Sequence, residues 1–120
     1  MTSARTVREL AGDVEVLAEV AAAIRAKGED AFFDDGMDGE ILRRAGRQLV
    51  VDLWSAVDRL PADVTDAHPQ IPWKGIKGMR NRVAHTYEHV DDEYVWGALA
   101  QDFRRVSDAL AGSAVGGQRP

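Results

Sequence analysis

Asp38-Gly39-Glu40-Ile41-Leu42-Arg43-Arg44-Ala45-Gly46-Arg47-Gln48-Leu49-Val50-Val51-Asp52-Leu53-Trp54-Ser55-Ala56-Val57-Asp58-Arg59-Leu60 is the run whose period decides the fold. Its apolar residues Ile41, Leu42, Ala45, Leu49, Leu53, Ala56 and Leu60 return at steps of three, four and seven, which places them on one face of a helix. Pro61 closes the run, because a proline has no N–H to continue the ladder. Val50, Val51, Trp54 and Val57 add a second apolar face. A small bundle leaves part of that face uncovered, so it suits either a dimer interface or denser packing within one chain.

The same three–four spacing appears on both sides of this helix. Upstream, Val7, Leu10, Val14, Leu17, Ala21 and Ile24 predict a first helix, ended by Gly28 and the polar Glu29-Asp30. Asp34 to Gly39 reads as a loop, with Phe32 and Phe33 anchoring it to the core. Its acids Asp34, Asp35 and Asp38 lack the alternating ligands and closing Glu of a calcium loop. Downstream, residues 61–70 form a connector with two prolines. Pro72 suits the first position of a third helix carrying Trp73, Ile76, Met79 and Val83 inward. Asp91 or Asp92 is a candidate N-cap for a fourth helix with Trp96, Leu99, Phe103, Val106 and Leu110 on its buried side. No strand alternation and no internal repeat appear. The expectation is an all-α antiparallel bundle of four main helices over residues 1–111, with a disordered tail at 112–120.

Bulk properties narrow the function classes. The chain has 120 residues, enough for one core and one domain. With 45% hydrophobic and 29% charged residues it has an ordinary globular composition. It contains no cysteine, which excludes disulfides and thiolate metal sites. No apolar run approaches the ~20 residues of a membrane span and no secretory leader is visible, so a cytoplasmic location is expected. The net charge of −5 speaks against a surface that adheres generally to nucleic acid. The charge is unevenly spread, however. Residues 71–87 hold Lys74, Lys77, Arg80 and Arg82 and none of the chain's 20 acids. One basic window in an acidic body suits local capture of phosphate; a solvated helix face is the plainer reading of it.

That window contains Arg80-Asn81-Arg82-Val83-Ala84-His85-Thr86-Tyr87. A fixed cation, a side chain that exchanges protons near neutrality and a phenol lie within eight residues. The pattern, with His68-Pro69-Gln70-Ile71-Pro72-Trp73 before it and Val90-Asp91-Asp92-Glu93-Tyr94-Val95-Trp96 after it, resembles the R-x4-H-x-Y motif of HEPN ribonucleases. The dense match from His68 to Trp96 is closest to the HepT family, toxins whose partner is an MntA-type minimal nucleotidyltransferase antitoxin.

The resemblance implies a homodimeric, metal-independent endoribonuclease toxin without a cofactor. Arg80 would grip the scissile phosphate, His85 would serve as general base or acid, and Asn81 would orient phosphate or histidine. Lys74, Lys77 and Arg82 would help to bind RNA. Tyr87 would accept AMP from the partner, which would silence the site. Plainer roles also exist: Arg80 in an ion pair, His85 at a helix end, Tyr87 as a packed aromatic. His68 and His89 read as structural. A non-catalytic HEPN subunit that binds nucleotide or regulates a partner nucleotidyltransferase is the alternative function, and a structural dimerisation module is a third.

Helical geometry adds a constraint. At about 100° per residue, Arg80 and Tyr87 lie within roughly 20° of one another, while His85 points about 140° away from Arg80. One straight helix does not bring all three together, so either it loosens near Thr86 or two copies meet across a two-fold axis. Two departures from the family stand out. Trp54 occupies a position where relatives carry a close-packing glycine, and Thr86 stands where glycine is frequent.

Overall fold

The structure, a computed structural model, describes residues 5–78 and 92–116, with side chains as far as Ser113. Six helical segments occur in this range and no strand does. They are α1 (Val7–Ala26), α2 (Glu29–Phe32), α3 (Met37–Asp58), α4 (Ala62–Asp66), α5 (residues 73–78) and α6 (Asp92–Gly116). The all-α bundle expected from periodicity is what forms. The short helices α2 and α4 are additions to it, placed where the sequence reads as a helix end and a connector.

Helix α1 begins with a reciprocal cap. The Glu9 N–H donates to Thr6 Oγ1 at 3.1 Å, and the Thr6 N–H donates to Glu9 Oε1 at 3.2 Å. Two amides that the helix leaves unpaired are satisfied in this way. Leu10, Val14, Ala18, Ala21 and Ile24 are buried, so the predicted stripe faces inward. The chain turns at Gly28 (φ 96°) into α2, which drives Phe32 fully into the core.

Helix α3 starts one residue before the predicted boundary and inside the expected loop. Gly39 is buried in its first turn, and a Cβ there would overlap the Asp34 carbonyl oxygen. The loop therefore lies directly on the helix. Arg43 fastens it by donating to the carbonyls of Phe32 (2.9 Å) and Asp34 (2.7 Å). Leu49, Leu53 and Ala56 are buried as predicted, and Leu42, Ala45 and Leu60 pack against the core. Ile41 does not follow: it is 56% exposed. It stands about 100° around the helix from Leu42, at the groove that α3 forms with α2 and the loop after it. Val50 of the second apolar face is only 2% exposed, and Val57 packs on the core. Much of the surplus read as an interface is thus absorbed by the chain itself.

The end of α1 lies by the start of α6, where Arg25 stacks on Trp96, so these helices run antiparallel. α3 is also antiparallel to α1: one groove between them joins Leu10 to Ala56, and another brings Lys27, at the C-terminal end of α1, beside Ile41 near the start of α3. The close approach of α3 and α6 depends on Gly46. A Cβ there would meet Val95 Cγ1 at 3.0 Å, Phe32 Cε1 at 3.3 Å and Leu99 Cδ1 at 3.4 Å. Gly46, rather than the Trp54 position, is where α3 admits its neighbour, and Trp54 is half-buried. Val95, Leu99, Phe103, Val106 and Leu110 form the buried face of α6.

Helix α6 continues to Gly116, five residues beyond the boundary drawn at 111 and into the expected tail. His68 Nε2 and Ser113 Oγ lie 3.0 Å apart, which ties this last turn to the connector. Residues 117–120 of that expected tail lie outside the described residues.

Candidate active site

Five of the residues singled out for chemistry, Arg80, Asn81, Arg82, His85 and Tyr87, lie outside the described residues, as do Met79, Val83, His89 and Asp91. What the structure defines is the frame from which residues 79–91 are held: how the chain enters at α5 and how it returns at α6.

The entry is built from Ile71-Pro72-Trp73. Ile71 is 4% exposed and plugs the core. Pro72 stands just before the helical residues 73–78, one position earlier than predicted, and its carbonyl accepts the Ile76 N–H at 3.0 Å. The Trp73 indole N–H is shared between the carbonyls of Thr65 and His68, each at 3.1 Å. One side chain therefore fastens the C-terminal side of α4, the connector and the first turn of α5. Ile76 is 2% exposed and anchors the next turn. Lys74 and Lys77, the two candidate RNA-binding residues in the described range, are both exposed. Three positions apart, they share one face of α5, turned away from the buried Ile76.

The exit is built from charge and aromatic packing. Asp92, at the first turn of α6, receives Arg47 of α3 through two parallel bonds, Nε to Oδ1 at 2.9 Å and Nη2 to Oδ2 at 2.8 Å. Such a fork fixes orientation as well as distance. The Asp92 hydrogen bond raises the Arg47 pKa above its ordinary value against an opposing effect of burial. Arg47 is thus committed as a cation held by α6. One turn later Trp96 packs on Phe32 (centroids 4.9 Å apart) and carries the Arg25 guanidinium 4.0 Å above its ring. Asp92 serves inside the helix, as the partner of Arg47. Nothing in local spacing announces this pair, because its members lie 45 positions apart.

Among the described residues no three of His, Cys, Asp and Glu are gathered to hold a metal ion. Asp34 of the acidic loop instead turns its Oδ2 to the Gly36 N–H at 2.9 Å. His68, read as structural, is occupied with Ser113. No described helix is long and apolar enough to cross a membrane.

Residues 15–111 match a family model described as "Ribonuclease HepT-like", a span that contains the whole of the basic window and both anchors. A protein of Caldanaerobacter subterraneus subsp. tengcongensis named "Putative RNase TTE0752" is 31% identical over 78 residues, 65% of this chain and 68% of that protein. "Putative RNase MJ0127" of Methanocaldococcus jannaschii is 30% identical over 67 residues, 56% of this chain and 55% of its own length. "Probable ribonuclease HepT" of Thermococcus cleftensis is 26% identical over 89 residues, covering 74% of this chain and 81% of that protein. No solved structure matches the chain significantly.

Proposed function

The chain belongs to the HepT-like ribonuclease family, and on that premise we propose that it is a metal-independent endoribonuclease, the toxin of a HepT/MntA-type pair. The observation that carries this reading is the coincidence of the Arg80–Tyr87 motif with the family match and with the acid-free basic window at residues 71–87.

In the proposed reaction Arg80 holds the scissile phosphate and offsets the charge that develops on it. His85, whose unperturbed pKa of about 6.5 suits proton exchange at neutrality, takes the proton of the ribose 2′-hydroxyl or delivers one to the departing 5′-oxygen. The 2′-oxygen bonds to phosphorus as the bond from phosphorus to the 5′-oxygen breaks. The proton lost by the 2′-hydroxyl is balanced by the one gained by the leaving oxygen. The nucleophile belongs to the substrate, so the step requires no metal, and DNA is inert. Asn81 orients the phosphate or the histidine, while Lys74, Lys77 and Arg82 add attraction for the backbone.

Arg80 and His85 diverge by about 140° on a regular helix, which supports a homodimer in which two motifs complete the site. Tyr87 is the proposed acceptor of AMP from a nucleotidyltransferase partner. A phosphate attached there would stand within the basic window and fill the place of the substrate. A cytoplasmic location is part of this reading.

The test is cleavage of total RNA by the purified chain, free of partner, with EDTA present, beside His85→Ala. Cutting by the wild type alone is the expected result. No cutting by either, from protein whose mass shows no AMP on Tyr87, would sink the nuclease reading for those RNAs and favour a binding subunit.

A further inference from the structure

A cleft of about 260 Å³ opens between α1 and α6 on the face where Arg25 meets Trp96. Arg25 and Arg104 stand on it, over small or apolar residues that include Ala18, Ala22, Leu99 and Phe103. No acid lines it. Two clefts beside α3 differ in this respect: the one against α1 contains Asp13 and Asp52 with Arg59, and the one against α2 and its following loop contains Asp30, Asp34 and Asp38 with Lys27. In an acidic chain, a groove with two guanidiniums and no carboxylate is a local positive field.

Neither arginine forms an ion pair with a described residue. Among the described residues, every ion pair of an arginine belongs to Arg5, Arg43, Arg44 or Arg47. Among the described residues Arg25 is held by neutral contacts: Trp96 supports one face of its guanidinium at 4.0 Å, and Nη1 donates to the Trp96 carbonyl at 3.5 Å. Stacking of this kind fixes the planar fork while leaving its remaining N–H groups for an anion. The alanines keep the floor shallow. Typical small-molecule pockets start at about 300 Å³, so this cleft suits a phosphate with its sugar and not a whole enclosed nucleotide.

We propose that this cleft is a second, non-catalytic binding site for RNA backbone phosphates, through which Arg25 and Arg104 hold the strand that leaves the motif. The inference rests on the nuclease reading above and extends it to substrate length. Trp96, with Arg25 on it, lies one helical turn, or about 6 Å, past the point where the chain returns at Asp92, and Arg104 lies about 18 Å past it. At about 3.4 Å of rise per stacked nucleotide, the second distance corresponds to ~5 nucleotides. Short RNA would engage the motif alone; longer RNA would engage Arg25 and then Arg104.

The experiment is a binding titration of single-stranded RNA oligomers of three and twelve nucleotides in a His85→Ala background, repeated with Arg104→Ala and at several salt concentrations. Arg59→Ala, which removes the same charge from an acid-containing groove, is the control. We expect Arg104→Ala to weaken the twelve-mer by about fivefold and to flatten its log–log salt slope by about 0.7, with a markedly smaller loss for the three-mer. Arg59→Ala should leave the twelve-mer within twofold. Equal losses for both lengths, or an unchanged twelve-mer, would overturn the cleft while leaving the nuclease reading in place. Absence of RNA binding by the His85→Ala parent, together with no cleavage by the wild type, would overturn both.

Discussion

The two ends of the segment that carries the motif are held by opposite kinds of chemistry. At the entry, Trp73 and Ile71 are fixed by burial and by neutral hydrogen bonds to carbonyls. At the exit, Asp92 is fixed by a forked ion pair to Arg47, whose side chain is 26% exposed and that of its partner 17%. A neutral anchor tolerates loss of one bond, because its parts are individually weak. A half-buried charge does not, because removing one partner strands the other. The exit is therefore the stiffer and the more breakable of the two.

The largest effect should come from breaking the exit. Arg47→Ala leaves the Asp92 carboxylate without its fork, and a loss of about 2 kcal/mol is expected in urea unfolding. RNA cleavage should fall at least tenfold even under fully folded conditions, because the start of α6 is no longer indexed to α3. Adding Asp92→Ala should return much of the stability but little of the activity, since both partners are then removed together. At the entry, Trp73→Phe keeps an aromatic ring, though a smaller one, and deletes the shared N–H. A loss of about 1 kcal/mol is expected by thermal unfolding, with activity reduced by less than in Arg47→Ala. His68→Ala releases Ser113 from the connector. We expect about 0.5 kcal/mol, visible as faster amide exchange in the last turns of α6 and absent from its first turn.

The smallest effect has the opposite sign and sharpens the comparison by removing a background. Asp102 lies half-buried on α6, and burial raises its pKa above the usual carboxylate range, with Arg105 opposing. A carboxyl whose folded pKa is raised stabilises the protein when protonated. That contribution is complete below the unfolded pKa and is lost as pH rises through the folded value. Asp102→Asn should therefore raise stability at neutral pH, by only about 0.3 kcal/mol after solvent screening. It should also remove this falling limb from a pH series of denaturation midpoints. Glu9 behaves conversely. Its bonds to the Thr6 backbone and side chain lower its pKa, so its capping contribution is present above its unfolded pKa and lost on acidification through the folded one.

The sequence makes the long elements legible because each repeats its apolar stripe over several turns. Leu10, Val14, Ala21 and Ile24 of α1, and Leu99, Phe103, Val106 and Leu110 of α6, are buried as their spacing requires. Helices α2 and α4, of four and five residues, are too short to show a period. Ile41 misleads because hydrophobicity alone does not reveal which edge of a stripe a neighbour covers. Gly112 opens a glycine-rich end, and no local spacing shows that Ser113 beside it meets His68 across 45 positions. The candidate site divides in the same way. Its chemistry is written locally, in eight consecutive residues. Its support is not: Arg47 with Asp92 and Arg25 with Trp96 are joined only by the fold, and no spacing rule connects them.

Gly46 has a consequence for which changes the chain can accept. The missing side chain is a notch, and Val95 sits in it as a key, so the rotational phase of α6 is set at that contact and at the Arg47 fork three residues earlier. Residues inserted or deleted between Gly78 and Asp92 would lengthen or shorten the span without turning the key. A single residue inserted between Asp92 and Val95 would swing the carboxylate about 100° away from its arginine. Length changes that leave the Arg80–Tyr87 spacing intact should therefore be tolerated by the bundle before Asp92 and rejected in the turn that follows it.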